Sequence, residues 1–520
     1  MSKQGPKKKE KSASPASPKK ANLPGDHIAV EKIGADSAVA AGRNAKAIRI
    51  GNITIDLRLL PVVVLLAVII GVMAYMLVPK RPEKMSHEFN VAIAEFIVVN
   101  ASGQSVASRD GYNLAAFMYK RLEASFSELD KKTIDYELWP PEYTGVITGG
   151  LKEAEALAKR IDADVVIYGV ITQAGPDSTF APEFYVHPQG FEQAEEITGE
   201  HKMGSPVFVP LPFETSELQD TKNPALSARA NALSQIAIGL AYYSIDNYET
   251  AIEYFQRAEA TQGWLSSAGK EVVYLLLGNA TSRLAARDKT IDCLDTVTND
   301  CPMTAIAFYD QALAINGDYA RAAVGRAGVL YLLAIGDPKD PSQPIDQTRL
   351  NEAEAEFEKA LSYQDAPENA NIAIKVNFGL GQIFLVRYLA NKDSAWLEQA
   401  QTKFESVVQE YDSGNWRIVD IAGHAHARLG KIAMWQNDPA TAVEEYTKAI
   451  ELVTPYYQAY YHTRLGKIYA DAQQTEAAIE AYQHAIRISE SLGDEAGVEQ
   501  YSACLKELES SSVVKDCEGR

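Results

Sequence analysis

One uncharged apolar run, Leu59 to Val78, reads LLPVVVLLAVIIGVMAYMLV and divides the chain. As a helix rising about 1.5 Å per residue it spans about 30 Å, the thickness of a bilayer's hydrocarbon core. Arg58 on one side and Lys80 with Arg81 on the other can reach the headgroups. The pattern predicts a single transmembrane helix. It starts too deep in the chain for a cleaved signal peptide, and no small-x-small site follows.

The pattern changes on either side of this run. Residues 1–25 are rich in Lys, Ser and Pro and are predicted to be disordered, so residues 1–58 form a basic tail. Within it, IAVEKIG, ADSAVAAG, RNAKAIRIG and NITIDL alternate small and larger residues between glycines, which predicts strand-like pieces. Residues 89–215 switch between periods of two and 3.6. A strand is expected over 89–99 and a helix over Gly111–Leu129, with Leu114, Met118, Leu122 and Phe126 inward. Tyr136–Trp139 reads as a strand stopped by Pro140-Pro141, and Leu151–Ile161 as a second helix. Asp164–Thr172, Glu183–Val186 and Pro206–Leu211 complete the strands of a small α/β domain.

This domain resembles the TolB amino-terminal and CsgG-like α/β family. The resemblance rests on VAIAEF, the helix carrying MYKRLE and the segment AKRIDADVVIYGVI, where Ala158, Lys159, Ala163, Asp164 and Gly169 match. It implies a periplasmic or extracellular binding module. The chain departs from that family in having no acylated N-terminal Cys, no following propeller and no lipid-facing hairpin. The strand-like pieces of 28–57 resemble the AxAxG repeats of trimeric adhesin heads. They read either as an oligomerising β-element, which would make a homo-oligomer, or as a linker.

Residues 228–492 repeat every 34 residues or so, and this array resembles the tetratricopeptide repeat (TPR). Gly239, Tyr242, Ala251, Phe255 and Ala258 carry the first copy; Gly466, Tyr469, Ala478, Tyr482 and Ala485 carry the last. Gly430, Ala442, Tyr446 and Ala449 mark the copy before it. Three middle copies carry insertions: Gly278 pairs with Ala305 and Tyr309, Gly328 with Ala353 and Phe357, and Gly381 with Ala400 and Phe404. Six helix pairs follow, with a capping helix at 494–510. The small residues let paired helices approach and the aromatics fill the gaps, so these positions are core. The resemblance implies a superhelix whose concave face, lined by first helices, binds a protein or peptide.

Charge sharpens the picture. Residues 1–58 hold 12 Lys/Arg against 5 Asp/Glu, net +7 in a chain of net −19, so the remainder carries −26. That disfavours nucleic acid as a partner and, by the positive-inside rule, puts the N-terminus in the cytoplasm and the other domains outside the cell membrane. All four cysteines, Cys293, Cys301, Cys504 and Cys517, then lie on the oxidising side, and their even number suits two disulfides.

No nucleophile, metal or phosphate motif stands out, and no cofactor or metal is expected. His424 and His426 are two apart, which on a helix sends them to different faces; they read as solvent or groove histidines. The candidate binding residues are Lys431 and Lys467, each after a repeat glycine, with His424, Trp435, Tyr460 and Thr463. A basic aromatic patch in an acidic body suits an acidic or C-terminal peptide. The expectation is a membrane-anchored, non-catalytic scaffold or assembly factor. The alternatives are an extracytoplasmic ligand sensor and a subunit of a secretion or envelope assembly.

Overall fold

The computed structural model describes residues 47–50, 53–56 and 83–511, except 175–176, 192–193, 215–222, 265–266, 289–291, 297–302, 337–342 and 364–370. The apolar run Leu59–Val78 lies outside the described residues. Residues 1–81 form one unit and 82–520 another. In the first, β1 (Ala47–Ile50) and β2 (Ile53–Asp56) pair antiparallel, within two of the alternating segments.

The second unit opens with a sheet. Its strands are β3 (Phe89–Ile93), β4 (Ile97–Val99), β5 (Ser105–Ala107), β6 (Tyr136–Trp139), β7 (Val165–Ala174), β8 (Asp177–Val186), β9 (Gly199–Lys202) and β10 (Val207–Phe208). The main order is β10-β8-β7-β3-β6; β9 adds to β8, and β4 pairs with β7 and β5. β3 runs parallel to β6 and β7, so α1 (Arg109–Phe126), α2 (Pro141–Thr144) and α3 (Leu151–Ile161) lie in the crossovers. Alternation then sorts the core. Val91, Ile93 and Ile167 join the apolar cluster that holds α1's Leu114, Met118, Leu122 and Phe126. Ala92, Ala94, Val166 and Tyr168 join the one that holds α3's Ala154, Leu157 and Ala158.

The strand expected over 89–99 is in fact two. Ile93 pairs with Ile167, but Ile97 pairs with Val170, so β4 carries one extra residue against β7. This is a bulge. Within it, Glu95 N–H turns to the carbonyl of Gly145 at 2.8 Å. The strands β5 and β9 were not expected; both are short, β5 is exposed throughout and β9 is polar.

Helix pairs follow. They are α4 (Pro224–Ser244) with α5 (Tyr248–Glu259), and α6 (Lys270–Asp288) with α8 (Ala305–Ile315), between which the short α7 (Asp292–Asp295) is inserted. Next come α9 (Ala320–Ile335) with α10 (Gln347–Ala360), and α11 (Ile372–Asn391) with α12 (Ser394–Asp412). The last are α13 (Val419–Trp435) with α14 (Pro439–Leu452), α15 (Pro455–Asp471) with α16 (Thr475–Leu492), and the capping α17 (Glu495–Ser511). Asn247, Thr304, Asp393 and Asp438 cap second helices by accepting a backbone N–H.

The repeat glycines are packing positions. A Cβ on Gly239 would stand 2.4 Å from the Phe255 ring, and one on Gly466 2.9 Å from that of Tyr482. Gly278, Gly381 and Gly430 meet Tyr309, Phe404 and Tyr446 in the same way. Gly328 departs from the pattern: nothing lies within 4 Å of its Cβ position. Its neighbour Ala327 is the residue buried in the cluster that holds Phe357.

Among the described residues one helix, α11, is long and apolar enough to cross a membrane. Its Val376, Leu380, Ile383 and Phe384 are buried in the superhelix core. Cys293 and Cys504 are each disulfide-bonded, and Cys301 and Cys517 lie outside the described residues.

Candidate functional site

The boundary between the α/β domain and the array is not a break in packing. A single apolar cluster runs from Phe89 of β3 to Leu333 of α9. The polar contacts are more specific. Residues 195–201, a 3-10 turn followed by β9, lie against the first helices of successive pairs. Arg321 of α9, 1 % exposed, donates to the carbonyls of Glu196 at 2.8 Å, Thr198 at 2.5 Å and Glu200 at 3.0 Å. Lys375 of α11 lies 2.5 Å from Glu195 and 3.3 Å from Glu196, both buried carboxylates. Burial works against charge on Lys375, yet these two acids raise its pKa. Asn279 of α6 donates to Glu196, and Tyr243 of α4 donates to Asn279. Arg417, just before α13, forks onto Glu155 of α3.

Thus the first helices of pairs two to four already hold an acidic segment, and it belongs to the same chain. Sequence reasoning missed Arg321, Lys375 and Arg417. For Arg321 and Lys375 the signal was a cation amid alanines or apolar residues on a first helix, as Arg321 is in ARAAVGRAG.

The candidate residues lie on α13 and α15 in the last two pairs. Lys431 Nζ sits 5.2 Å from the centroid of the Trp435 ring, which packs on Tyr388 of α11 at 5.3 Å. His424 is buried rather than open to solvent; its Nδ1 is 2.7 Å from the Tyr461 hydroxyl, and Tyr457 meets it edge-on at 4.5 Å. Tyr460 packs beside Tyr461 and is bonded by Arg464. Thr463 is buried, its hydroxyl donating to the Tyr460 carbonyl at 2.7 Å. Lys467 is held by Asp471, with Nζ 2.6 and 2.7 Å from its two oxygens. The structure therefore joins Lys431 to Trp435, and His424 to the tyrosines of α15. It ties Thr463 and Lys467 to their own helix. His426 faces the other way as expected, but is buried against Glu445 at 2.7 Å. Tyr456, 60 % exposed, extends the aromatic surface outward.

The tetratricopeptide repeat profile matches residues 232–260 and 459–492, within the first and last pairs. The chain carries tetratricopeptide repeats. No curated protein sequence matches it. It is similar to the crystal structure of a thermophilic TPR protein from Thermus thermophilus, at 14 % identity and TM-score 0.29 over 42 % of this chain and 91 % of that one. It is also similar to PilW, a type IV pilus biogenesis factor, at 14 % and 0.30 over 55 % and 96 %. A third is the apo quorum sensor NprR from B. thuringiensis, at 14 % and 0.31 over 54 % and 77 %.

Proposed function

We propose that this protein is a membrane-anchored, non-catalytic scaffold whose TPR superhelix binds a protein segment outside the cytoplasm. The anchor is Leu59–Val78, the tail is cytoplasmic, and the α/β domain is a TolB/CsgG-like binding module. The observation that carries the reading is the seat of residues 195–201 on the first helices. Arg321 and Lys375 grip an acidic, partly extended segment, as a repeat array grips a partner. The first helices of pairs two to four are filled from within, so the partner uses the last two pairs. There Lys431, Trp435, Tyr460 and the exposed Tyr456 offer charge and aromatic surface. Disulfides at Cys293 and Cys504 suit an oxidising compartment.

The test is recovery of crosslinked partners from intact membranes. Lys431→Glu with Lys467→Glu should lower recovery strongly and leave the helical melting curve nearly unchanged, since surface substitutions shift stability by about 0.5 kcal/mol or less. Equal recovery by the wild type and the folded double variant would remove these lysines from the site.

A further inference from the structure

Positive side chains recur along the first helices: Arg321 on α9, Lys375 on α11, Arg428 on α13 and Arg464 on α15. The chain's own acidic segment takes the first two. Arg321 holds the carbonyls of Glu196, Thr198 and Glu200, and Lys375 the carboxylates of Glu195 and Glu196.

Arg428 differs. It is half-buried, yet among the described residues it has neither a hydrogen bond nor an ion pair. Burial raises the hydroxyl pKa of Tyr331 on α9 and of Tyr461 on α15, and the Arg428 charge opposes each rise. The guanidinium is therefore within reach of both helices, on the surface that the first helices share. Lys431, three residues on and on the same face of α13, lies against Trp435, and Arg464 donates to the Tyr460 hydroxyl. Lys467, by contrast, already has Asp471 at 2.6 Å. In a chain of net −19, an arginine with no acid beside it is a local exception. Its planar fork of donors matches a carboxylate. Part of its desolvation is already met in the free protein, so a carboxylate gains more here than at an exposed lysine.

We infer that Arg428 anchors a carboxylate side chain of an extended, acidic segment of the partner protein. That segment continues along α13 and α15 the line that residues 195–201 begin on α9 and α11. Lys431 and Arg464 are the flanking cations. This rests on the proposed use of the last two pairs by a partner, and names the chemistry of what binds there.

The experiment is fluorescence anisotropy of the full-length, detergent-solubilised protein with fluorescein-labelled hexaglutamate. Hexaglutamine and hexalysine are the controls. Hexaglutamate should bind saturably at one site per chain, more weakly as salt rises, and the controls should not bind. Arg428→Gln should weaken that binding about tenfold or more, as for one lost charge-assisted pair. It should leave the melting temperature unchanged, since Arg428 bonds nothing within the fold. Arg428→Lys should keep part of the affinity, and Lys467→Gln should change it little. Unchanged affinity in Arg428→Gln, a lowered melting temperature in that variant, or no saturation at millimolar peptide would overturn the proposal. So would inorganic tripolyphosphate binding more tightly than hexaglutamate, which would make this a phosphate site. The scaffold reading is scored separately, by photo-crosslinked capture of a partner from Tyr456. Equal capture by wild type and Arg428→Gln leaves that reading standing and removes this anchor.

Discussion

The guanidinium of Arg321 donates to the carbonyl oxygen of Thr198 at 2.5 Å, across 123 residues of sequence. The same group also satisfies the carbonyls of Glu196 and Glu200. Arg321→Leu leaves these carbonyls without a donor in a buried interface. The expected loss is about 3–5 kcal/mol, as for a buried charge network broken on one side. Arg321→Lys, a single point donor, should fall between. Urea unfolding of the full-length protein measures both. An Arg321→Leu protein as stable as wild type would mean that this seat is not formed in solution.

Gly239 and Gly328 should respond to alanine in opposite directions. Gly239→Ala drives a methyl into Phe255, which is fully buried and has no room to retreat. Overpacking of this kind costs about 1–3 kcal/mol. Gly328→Ala meets open space inside a helix and should gain about 0.5–1 kcal/mol. Thermal unfolding of the two variants side by side checks the sign of each.

His462 of α15 stacks on His484 of α16 at 5.1 Å. Burial, with His484 and Arg487 adding repulsion, lowers its pKa from 6.5 to about 4. The unfolded chain therefore takes a proton near pH 6.5 that the folded chain refuses until about pH 4. Stability from this group is intact above that window and falls as pH drops through it. His462→Gln should match wild type near neutrality and melt progressively higher than wild type as the pH falls from 6.5 towards 4. A constant difference across the window would place the depressed titration elsewhere.

The repeat period was legible because it is written in packing residues. Gly466, Ala478 and Tyr482 are core wherever two helices must touch closely, and spacing alone finds them. The helices of the α/β domain were legible for a similar reason: Leu114, Met118, Leu122 and Phe126 share one buried face. The bulge at Glu95 was not legible, since its register depends on β7, some seventy residues away. Gly328 misled because spacing does not show what a glycine faces: the glycine against the Phe357 ring is Gly379, on the next pair. The occupied groove was invisible for a deeper reason. Arg321 and Lys375 bind backbone carbonyls and acids from another domain, and no local spacing records such a match. The buried state of His424 likewise comes from Tyr457 and Tyr461 on the next repeat.

Site-specific photo-crosslinking in intact cells tests the central claim most directly. A photoreactive residue is placed singly at Lys375, Arg321, Lys431 and Tyr456. If the chain's own acidic segment fills pairs two to four and a partner uses the last two, Lys375 and Arg321 give only intramolecular products with residues 195–201. Lys431 and Tyr456 then capture a second protein. Capture of a partner from Lys375 or Arg321, with none from Lys431 and Tyr456, would contradict the account.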